Sequence, residues 1–279
     1  MKVDFTGKLV IVTGAGDGIG RSAAIGFARA GARLVVGLFD AIAHCGAISG
    51  AMTSCGRPME IVAANVVGTA NVLELVRIAG IRRIAFCSSI SVYGDPGDVT
   101  LTEWSPLQPS SVYGAAKVVG EQLLGAFARE YRREGVSLRI GRVYGSYRRG
   151  DCVIKRMSED SRAGRIIPCA PGFIYHSVWV DDVARAIAAA LTVPTLPSRS
   201  YNIGSGEAVT MPDIAALAQR VLPGLVVNLV PGADDVPDVQ TGFDVSRARE
   251  ELGFSAGMRL AEGIAAYAAR LPEPMSVPA

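Results

Sequence analysis

The sequence lacks the features that define several large classes of protein. Its 28 lysines and arginines nearly balance its 26 aspartates and glutamates, so the formal net charge is only +2, and nucleic-acid binding is not expected. No uninterrupted run of about eighteen apolar residues predicts a membrane span, and no long apolar run near the start predicts a signal peptide. We therefore expect a cytoplasmic protein that binds neither nucleic acid nor a membrane.

Metal ligands are equally scarce. The only histidines are His44 and His176, and neither has a ligand partner at helical spacing, so we predict no metal site. The cysteines are odd in number and scattered without metal-ligand spacing, which indicates reduced side chains that mostly contribute to packing. The five cysteines are Cys45, Cys55, Cys87, Cys152 and Cys169.

Apolar residues are abundant, and their order predicts the fold class. They make up 49% of the 279 residues, whereas charged residues make up 19%, which indicates a globular chain with one large core or one core and a small second domain. Short apolar runs alternate with helical patterns. We therefore predict an α/β fold with a doubly wound, mostly parallel sheet that is covered on both faces.

The regular alternation of strand and helix patterns stops after Gly145. The chain then becomes irregular and rich in basic residues, glycine and proline before helical patterns return. We predict a sheet domain formed by residues 1–145 and 176–200. Residues 146–175 and 201–279 are predicted to form a smaller, discontinuous cap.

A glycine-rich string lies directly between the first predicted strand and the first predicted helix. Residues 13–20 read TGAGDGIG. Glycines at this place permit a tight turn whose backbone N–H groups can approach a pyrophosphate at the helix N-terminus. The strand–turn–helix context favours this interpretation over a merely tight turn, which is the alternative.

Two further motifs carry side chains suited to acid–base chemistry. Tyr113 and Lys117 are four residues apart in a helical pattern, so both lie on one helix face, where the ammonium lowers the tyrosine pKa by favouring the phenolate. A surface pair on an amphipathic helix is the alternative. Residues 87–94, CSSISVYG, end a buried strand at the sheet edge where open α/β folds bind ligands, although serines there often only form a turn.

In this order, the motifs resemble the short-chain dehydrogenase/reductase superfamily. HCGAIS, SSISVYGD, SVYGAAK, RVYG, WVDDVARAI and YNIGSGE resemble its two-domain branch, the NAD-dependent epimerase/dehydratase family, whose members act on nucleotide sugars. The resemblance covers nearly the whole chain and implies a Rossmann-like nucleotide-binding domain with a smaller C-terminal substrate-binding cap. It implies that Tyr113 is the catalytic acid/base, that Lys117 binds the nicotinamide ribose and lowers the pKa of Tyr113, and that Ser89 hydrogen-bonds the reacting oxygen.

The resemblance also implies a cofactor, NAD or NADP, and a sugar-like substrate. Asn65 would support the site, with a helix N-cap as an equal alternative. The residues implied to contact the cofactor are Gly14, Asp17, Gly18, Ile19, Cys45, Gly46, Ala47, Asn65, Tyr113, Lys117 and Val143. The residues implied to contact the substrate are Ser89, Arg142 and Tyr175.

The chain is short between its second and fourth expected strands. Gly20 and His44 are only 24 positions apart, whereas members of the family place a helix, a strand and another helix there. Parallel strands need a long crossover, so residues 33–47 are expected to form one bent strand, or to be irregular or antiparallel in one half. We predict a sheet that lacks an edge strand and its helices between residues 36 and 42.

This short join affects the expected adenosine contacts. An acid that binds the ribose is expected about 20 residues beyond the glycine string, where Asp40 lies. Asp40 also occupies the place of the aspartate that begins the next strand, and one residue is not expected to serve both purposes. Leu38 then lies at the position where the ribose-binding acid is expected. We therefore predict low dinucleotide affinity with little discrimination, and Asp17 favours NAD only slightly.

A second departure concerns the substrate. Members of the family commonly carry an arginine for the diphosphate shortly before VDD, where this chain has Tyr175 and His176. A basic cluster near the start of the cap suits a carboxylate or phosphate, with solvated surface charge as the alternative. The cluster comprises Arg142, Arg148, Arg149 and Lys155.

Together these observations predict an NAD(P)-dependent epimerase or dehydratase that acts on a hydroxyl or carbonyl carbon of a sugar-type substrate. One alternative is a carbonyl reductase or sugar-acid dehydrogenase, which the missing arginine favours. Another is a degenerate nucleotide-binding protein without turnover, which the short join favours. Helices at about 66–79 and 113–130 are apolar on more than one face, and with the resemblance they predict a homodimer.

Overall fold

The computed structural model describes most of the chain. The described residues are 5, 6, 8, 10–16, 18–32, 40–49, 56–146, 152–160, 166–169, 174–229 and 241–270. The strands in these ranges are β1 (Val10–Thr13), β2 (Ala41–His44), β3 (Arg83–Ser89), β4 (Glu134–Ile140), β5 (Arg142–Tyr144), β6 (Ile166–Cys169), β7 (Ile174–Tyr175), β8 (Ser177–Trp179), β9 (Ser200–Ile203), β10 (Val209–Thr210) and β11 (Val226–Leu229).

Helices alternate with these strands. They are α1 (Gly18–Arg29), α2 (Pro58–Ile61), α3 (Gly68–Ile78), α4 (Val112–Glu130), α5 (Val153–Asp160), α6 (Val180–Thr192), α7 (Met211–Val221), α8 (Ser246–Leu252) and α9 (Leu260–Arg270). A π-helical turn, Val62–Val67, joins α2 to α3, and a 3-10 turn, Ile90–Val92, follows β3.

The central sheet is parallel and has the strand order β1-β2-β3-β4-β9. Its strands are apolar runs, and every residue of β2 and β3 is buried, as expected for strands that are covered on both faces. The predicted α/β fold with a mostly parallel, Rossmann-like sheet is confirmed.

Helices cover both faces of the sheet. On one face α1 and α6 pack through a cluster that includes Phe27 and Ile187. On the other face α3 and α4 pack through a cluster that includes Leu73, Phe86 and Leu124. With both faces closed, the carboxyl edge of the strands is the place where an open α/β sheet binds ligands.

A second apolar cluster lies in later segments of the chain. Helices α5, α7 and α9 contribute Met157, Ile214 and Ile264 to it, and the same segments form the strand pairs β5–β8, β7–β10 and β6–β11. Ile19 and Val143 pack against both this cluster and the cluster of the sheet. The two predicted cofactor contacts therefore lie at the junction of the two clusters.

The domain boundary predicted at residue 200 does not fit the sheet. β9 pairs with β4 along its full length, and Ala248 and Leu252 of α8 belong to the cluster of the sheet. β9 and α8 therefore pack with the sheet domain, although the sequence predicts residues 201–279 to be part of the cap. The rest of the domain division stays a prediction.

The short join places β2 directly beside β1. The two strands pair in parallel over all four residues of each, and no described strand lies beyond β1. Residues 33–39, which include Leu38, lie outside the described residues, so the alternatives for that half of the join stay open. Asp40 directly precedes β2 and its carboxylate lies 3.7 Å from Lys8 Nζ, which puts Asp40 at the amino end of β2, opposite the ligand-binding edge.

One helical stretch is apolar enough to be considered as a membrane span. Residues 58–78 meet the criteria of length and composition, and 28% of their most apolar window is buried. These two criteria alone are weak evidence, because they are also met by packed helices of proteins that cross no membrane. The expected absence of a membrane partner and the expected cytoplasmic location stay predictions.

Candidate active site

The glycine turn after β1 packs directly against the loop after β2. Gly14 has a φ of +71°, and a Cβ there would lie 2.9 Å from the Cα of Gly46. A Cβ on Gly20, in the first turn of α1, would lie 2.2 Å from the carbonyl oxygen of Gly14. Side chains are excluded at both positions, so the turn presents backbone N–H groups at the start of α1, a favourable place for an anion.

A histidine at the end of β2 connects this turn to α3. The Nδ1 of His44 lies 2.7 Å from Thr13 Oγ1, and its Nε2 lies 3.0 Å from Thr69 Oγ1. Thr69 donates its proton to the carbonyl oxygen of Asn65 across 2.6 Å, so its oxygen accepts the proton of His44 Nε2. Nδ1 is then the acceptor for Thr13, whose oxygen accepts the N–H of Gly46 at 3.0 Å. The bonds form one directed chain across the sheet edge.

This chain of hydrogen bonds needs a neutral imidazole. Burial, with a smaller contribution from the ammonium of Lys117, lowers the pKa of His44 to about 4. A neutral ring has one donor and one acceptor nitrogen, which is what the two threonines require, whereas an imidazolium has two donors. His44 therefore has a positioning role in this arrangement.

Asn65 lies behind the loop that follows β2. It is buried in the π-helical turn, where its Nδ2 donates to the carbonyl oxygen of Ile48 at 2.9 Å and its Oδ1 accepts the Ile48 N–H at 2.8 Å. The alternative of a helix N-cap is wrong, because the helical stretch already begins at Pro58. The Asn65 side chain thus pairs with both backbone polar groups of Ile48 and anchors the loop after β2 at that residue.

Tyr113 and Lys117 lie together in the first turns of α4. Ser111 caps the helix, since its Oγ accepts the N–H of Gly114 at 3.1 Å. Tyr113 and Lys117 are both buried, and Lys117 Nζ lies 5.8 Å from the centre of the tyrosine ring. The surface pair that was the alternative is therefore wrong. Lys117 Nζ donates to the carbonyl oxygen of Cys87 at 2.7 Å, which ties the helix to the end of β3.

The charge state of Lys117 depends on its surroundings. Burial lowers the pKa of Lys117 to about 8, and the neighbouring Cys87, Cys45 and Glu121 oppose that shift. The group therefore still carries its proton at neutral pH and can stabilise a negative charge on a neighbouring oxygen.

Ser89 ends β3 with an extended backbone. Its Oγ accepts the N–H of Ser91 at 3.2 Å, so the expected turn role is present. That bond uses an oxygen lone pair and leaves the hydroxyl proton for donation. A Cβ on Gly114 would lie 2.4 Å from the carbonyl oxygen of Ser91, so the turn after Ser89 packs against the residue that follows Tyr113.

A buried ion pair behind the site was missed in the sequence. Glu121 Oε2 lies 2.8 Å from Arg139 Nη2, and Ser88 Oγ donates to Glu121 Oε1 at 2.6 Å. Arg139 also donates to the hydroxyl of Tyr93 at 2.9 Å, and that hydroxyl donates to Asn202 Oδ1 at 2.6 Å. The network joins α4, β3, β4 and β9. The signal that could have revealed this network is Glu121 itself, which is four residues after Lys117 and lies on the same helix face.

The expected substrate side is formed by β5 and the strands after residue 173. The guanidinium carbon of Arg142 lies 4.7 Å from the centre of the Tyr175 ring, and the Arg142 N–H donates to the carbonyl oxygen of His176 at 2.8 Å. His176 is buried, its Nε2 hydrogen-bonds the carbonyl oxygen of Thr241, and burial lowers its pKa. The structure thus brings Arg142 and Tyr175 together and leaves His176 uncharged.

The remaining predicted positions divide into described and undescribed ones. Asp17, Arg148 and Arg149 lie outside the described residues. Lys155 forms a pair with Glu159 on α5, with Nζ and Oε1 3.7 Å apart. Within the described ranges, no group of three histidine, cysteine, aspartate or glutamate side chains could hold a metal ion.

Known proteins are similar to this chain in sequence and in fold. Residues 29–204 match the model of the NAD dependent epimerase/dehydratase family. UDP-glucose 4-epimerase of Mycolicibacterium smegmatis is 32% identical over 241 residues, which cover 81% of this chain and 74% of that protein. dTDP-glucose 4,6-dehydratase of Streptomyces niveus is 29% identical over 236 residues, which cover 82% of this chain and 69% of that protein.

A solved structure extends the likeness to nearly the whole chain. MoeE5 in complex with UDP-glucuronic acid and NAD superimposes with a TM-score of 0.83 at 27% identity, covering 94% of this chain and 98% of that chain. The family model spans more than half of the present sequence. The motifs TGAGDGIG, HCGAIS and SSISVYGD begin at the carboxyl ends of β1, β2 and β3 of a Rossmann-like sheet. The chain therefore belongs to the NAD-dependent epimerase/dehydratase family of enzymes, in the two-domain branch of the short-chain dehydrogenase/reductase superfamily.

Proposed function

We propose that the protein oxidises a hydroxyl-bearing carbon of a nucleotide sugar with NAD and then returns the hydride, as an epimerase or dehydratase. The observation that carries the proposal is the burial of Tyr113 and Lys117 side by side, with Lys117 Nζ bonded to the end of β3. The substrate class is supported by MoeE5, whose solved structure holds UDP-glucuronic acid and NAD.

The residues at the sheet edge fit a dinucleotide. The glycine turn has no room for a Cβ at Gly14 or Gly20, so backbone N–H groups can approach a pyrophosphate there. Cys45, Gly46 and Ala47 would line the loop beside it. When bound, NAD supplies the hydride acceptor.

The chemistry of the chain itself is proton transfer at Tyr113. As a phenolate, Tyr113 accepts the proton of the substrate hydroxyl, and in the reverse step it returns the proton. The ammonium of Lys117 stabilises the phenolate and would hold the nicotinamide ribose. The hydroxyl of Ser89 donates to the reacting oxygen and stabilises the charge that develops on it.

Replacing the phenolic oxygen tests this assignment. Tyr113→Phe keeps the ring but removes the group that titrates, so turnover should fall by at least about 100-fold. Tyr131→Phe is the matched control, because Tyr131 lies exposed at the end of the same helix. UDP-glucose and UDP-glucuronic acid are offered with NAD, and products are separated by chromatography. Unchanged turnover in Tyr113→Phe would show that the acid/base lies elsewhere.

A simple dehydrogenase or carbonyl reductase is the second candidate. The observation that favours it is the burial of His176, which offers no positive charge where members of the family commonly place an arginine for the diphosphate. Absorbance of the reduced nicotinamide separates the two candidates. A dehydrogenase accumulates reduced cofactor in proportion to product, whereas an epimerase shows product without net absorbance change.

We also propose a homodimer that buries exposed apolar side chains of residues 62–78 and α4. The exposed residues on the first helical stretch are Val67, Leu75 and Ile78, and those on α4 are Val112, Val119 and Leu123. Each set recurs at helical spacing, so each forms one face. A face of this kind is typical of an interface between two copies of a chain.

A further inference from the structure

The ends of β2 and β3 place two cysteine thiols side by side. The strands pair in parallel with His44 opposite Phe86, so the next residues, Cys45 and Cys87, also lie opposite each other. Their Sγ atoms are 3.5 Å apart. Neighbouring strands are about 4.8 Å apart, and disulfides span Cα separations of about 4.4–6.8 Å. A disulfide between the two therefore needs only a small local shift.

The two thiols differ in exposure and acidity. Both are free, Cys45 is partly exposed and Cys87 is buried. The hydrogen bond with Cys45 and the ammonium of Lys117 lower the pKa of Cys87. The hydrogen bond with Cys87 and burial raise the pKa of Cys45. Cys87 therefore loses its proton more readily than Cys45, and its thiolate is the form that attacks an oxidant.

We propose that Cys45 and Cys87 form an oxidation site at the dinucleotide-binding edge, which a peroxide closes reversibly into a disulfide. The Cys87 thiolate attacks one peroxide oxygen and the O–O bond breaks, giving a sulfenic acid on Cys87 and one water once the leaving oxygen is protonated. The sulfur of Cys45 then attacks the sulfur of Cys87, loses its proton and expels the second water. The two sulfurs lose two electrons, and the peroxide gains them.

The oxidation site is coupled to the proposed cofactor site through Gly46. Closure shortens the distance between the two Sγ atoms from 3.5 Å to about 2.0 Å, so it draws Cys45 towards β3. Gly46 follows Cys45 and packs on Gly14, so the shift disturbs the glycine turn. This coupling rests on the proposed dinucleotide site. The coupling is reciprocal. If closure of the disulfide weakens NAD binding by a given factor, bound NAD shifts the equilibrium from the disulfide towards the dithiol by the same factor.

Peptide mapping tests the oxidation site without reference to activity. The purified full-length chain is treated with hydrogen peroxide, free thiols are blocked, and linked peptides are identified by mass spectrometry. The expected result is one linkage between the peptides of Cys45 and Cys87 that dithiothreitol reverses. It should persist in Cys152→Ser, the control, and vanish in Cys45→Ser and Cys87→Ser. No linkage, or one that joins other cysteines, overturns the proposal.

Calorimetry with NAD tests the coupling. The dissociation constant for NAD should be at least about tenfold higher for the disulfide than for the dithiol, which corresponds to a shift of about 30 mV in the potential of the pair when NAD saturates it. Equal affinities in the two states overturn the coupling. A reduced protein that binds no NAD overturns the proposed dinucleotide site and the coupling together, while the peptide map still decides the oxidation site.

Discussion

His44 shows how one uncharged side chain can hold three segments of a site. Its folded pKa is about 4, against 6.5 for an unperturbed imidazole. Between these values the unfolded chain binds one more proton than the folded chain. The stabilisation from the neutral ring is therefore complete above pH 6.5 and is lost as the pH falls towards 4. The total loss is about 3 kcal/mol.

Denaturant unfolding between about pH 7 and pH 5 checks this prediction. His44→Gln keeps a hydrogen-bonding amide but does not titrate, so its free energy of unfolding should fall less steeply below pH 6.5. The difference in slope should approach about 1.4 kcal/mol per pH unit. Parallel curves for the two proteins would mean that His44 is not the group that takes up the proton.

The sequence predicted site residues that lie close together on one helix, but it did not predict hydrogen bonds between residues that are distant in the sequence. Tyr113 and Lys117 are four positions apart, so helical periodicity alone brings them to one face. The partners of His44 lie 31 and 25 positions away. The register of β1 with β2 and the packing of α3 bring the hydroxyls of Thr13 and Thr69 to the imidazole. Local sequence patterns predict neither the register nor the packing.

At the scale of elements, α4 is fixed to the sheet by a buried ion pair. Glu121 and Arg139 are each only 7% exposed. Glu121→Gln would leave the guanidinium buried without its countercharge, so we predict a loss of about 3–5 kcal/mol in the free energy of unfolding. Glu74→Gln is the matched control, since Glu74 pairs with Arg77 on the surface of α3, and such pairs contribute less than about 1 kcal/mol. Equal losses in denaturant unfolding would contradict the prediction.

The strands and long helices could be predicted because apolar runs and helical spacing are local signals. The helical stretch around Asn65 could not. An asparagine before an apolar pattern favours a helix start, yet the stretch begins at Pro58 and Asn65 bonds to Ile48, 17 positions away. The boundary at residue 200 was also wrong for β9, because β9 pairs with β4, a contact between distant segments.

At the scale of the whole molecule, the short join determines how the cofactor is expected to bind. Asp40 lies at the amino end of β2, where its carboxylate pairs with Lys8, so it is remote from an adenosine ribose at the carboxyl edge. We predict that NAD binds weakly, towards millimolar, because each missing charge-assisted hydrogen bond costs about 1.5–3 kcal/mol. NADP should bind within about tenfold of NAD. Calorimetric titration with both nucleotides measures this, and tight NAD binding with rejection of NADP would contradict it.

The proposed homodimer is a second property of the whole molecule. Leu75→Glu combined with Val119→Glu would bring four carboxylates into the interface of two copies, so we predict a monomer. Val226→Glu is the control, because Val226 is exposed on β11, away from α3 and α4. Sedimentation at micromolar concentration should show a dimer for the control. If the unmodified protein also sediments as a monomer at this concentration, the proposed homodimer is wrong.

The directed chain of hydrogen bonds through His44 also gives the protein an internal spectroscopic reporter. The Nε2 proton is buried between the ring and Thr69, so it should exchange slowly with water and give its own resonance in a proton NMR spectrum. At the other end of the chain stands the N–H of Gly46, on the loop beside the glycine turn. A ligand that moves this loop changes every bond in the series, so the binding of a cofactor could be followed from a proton that the cofactor never touches.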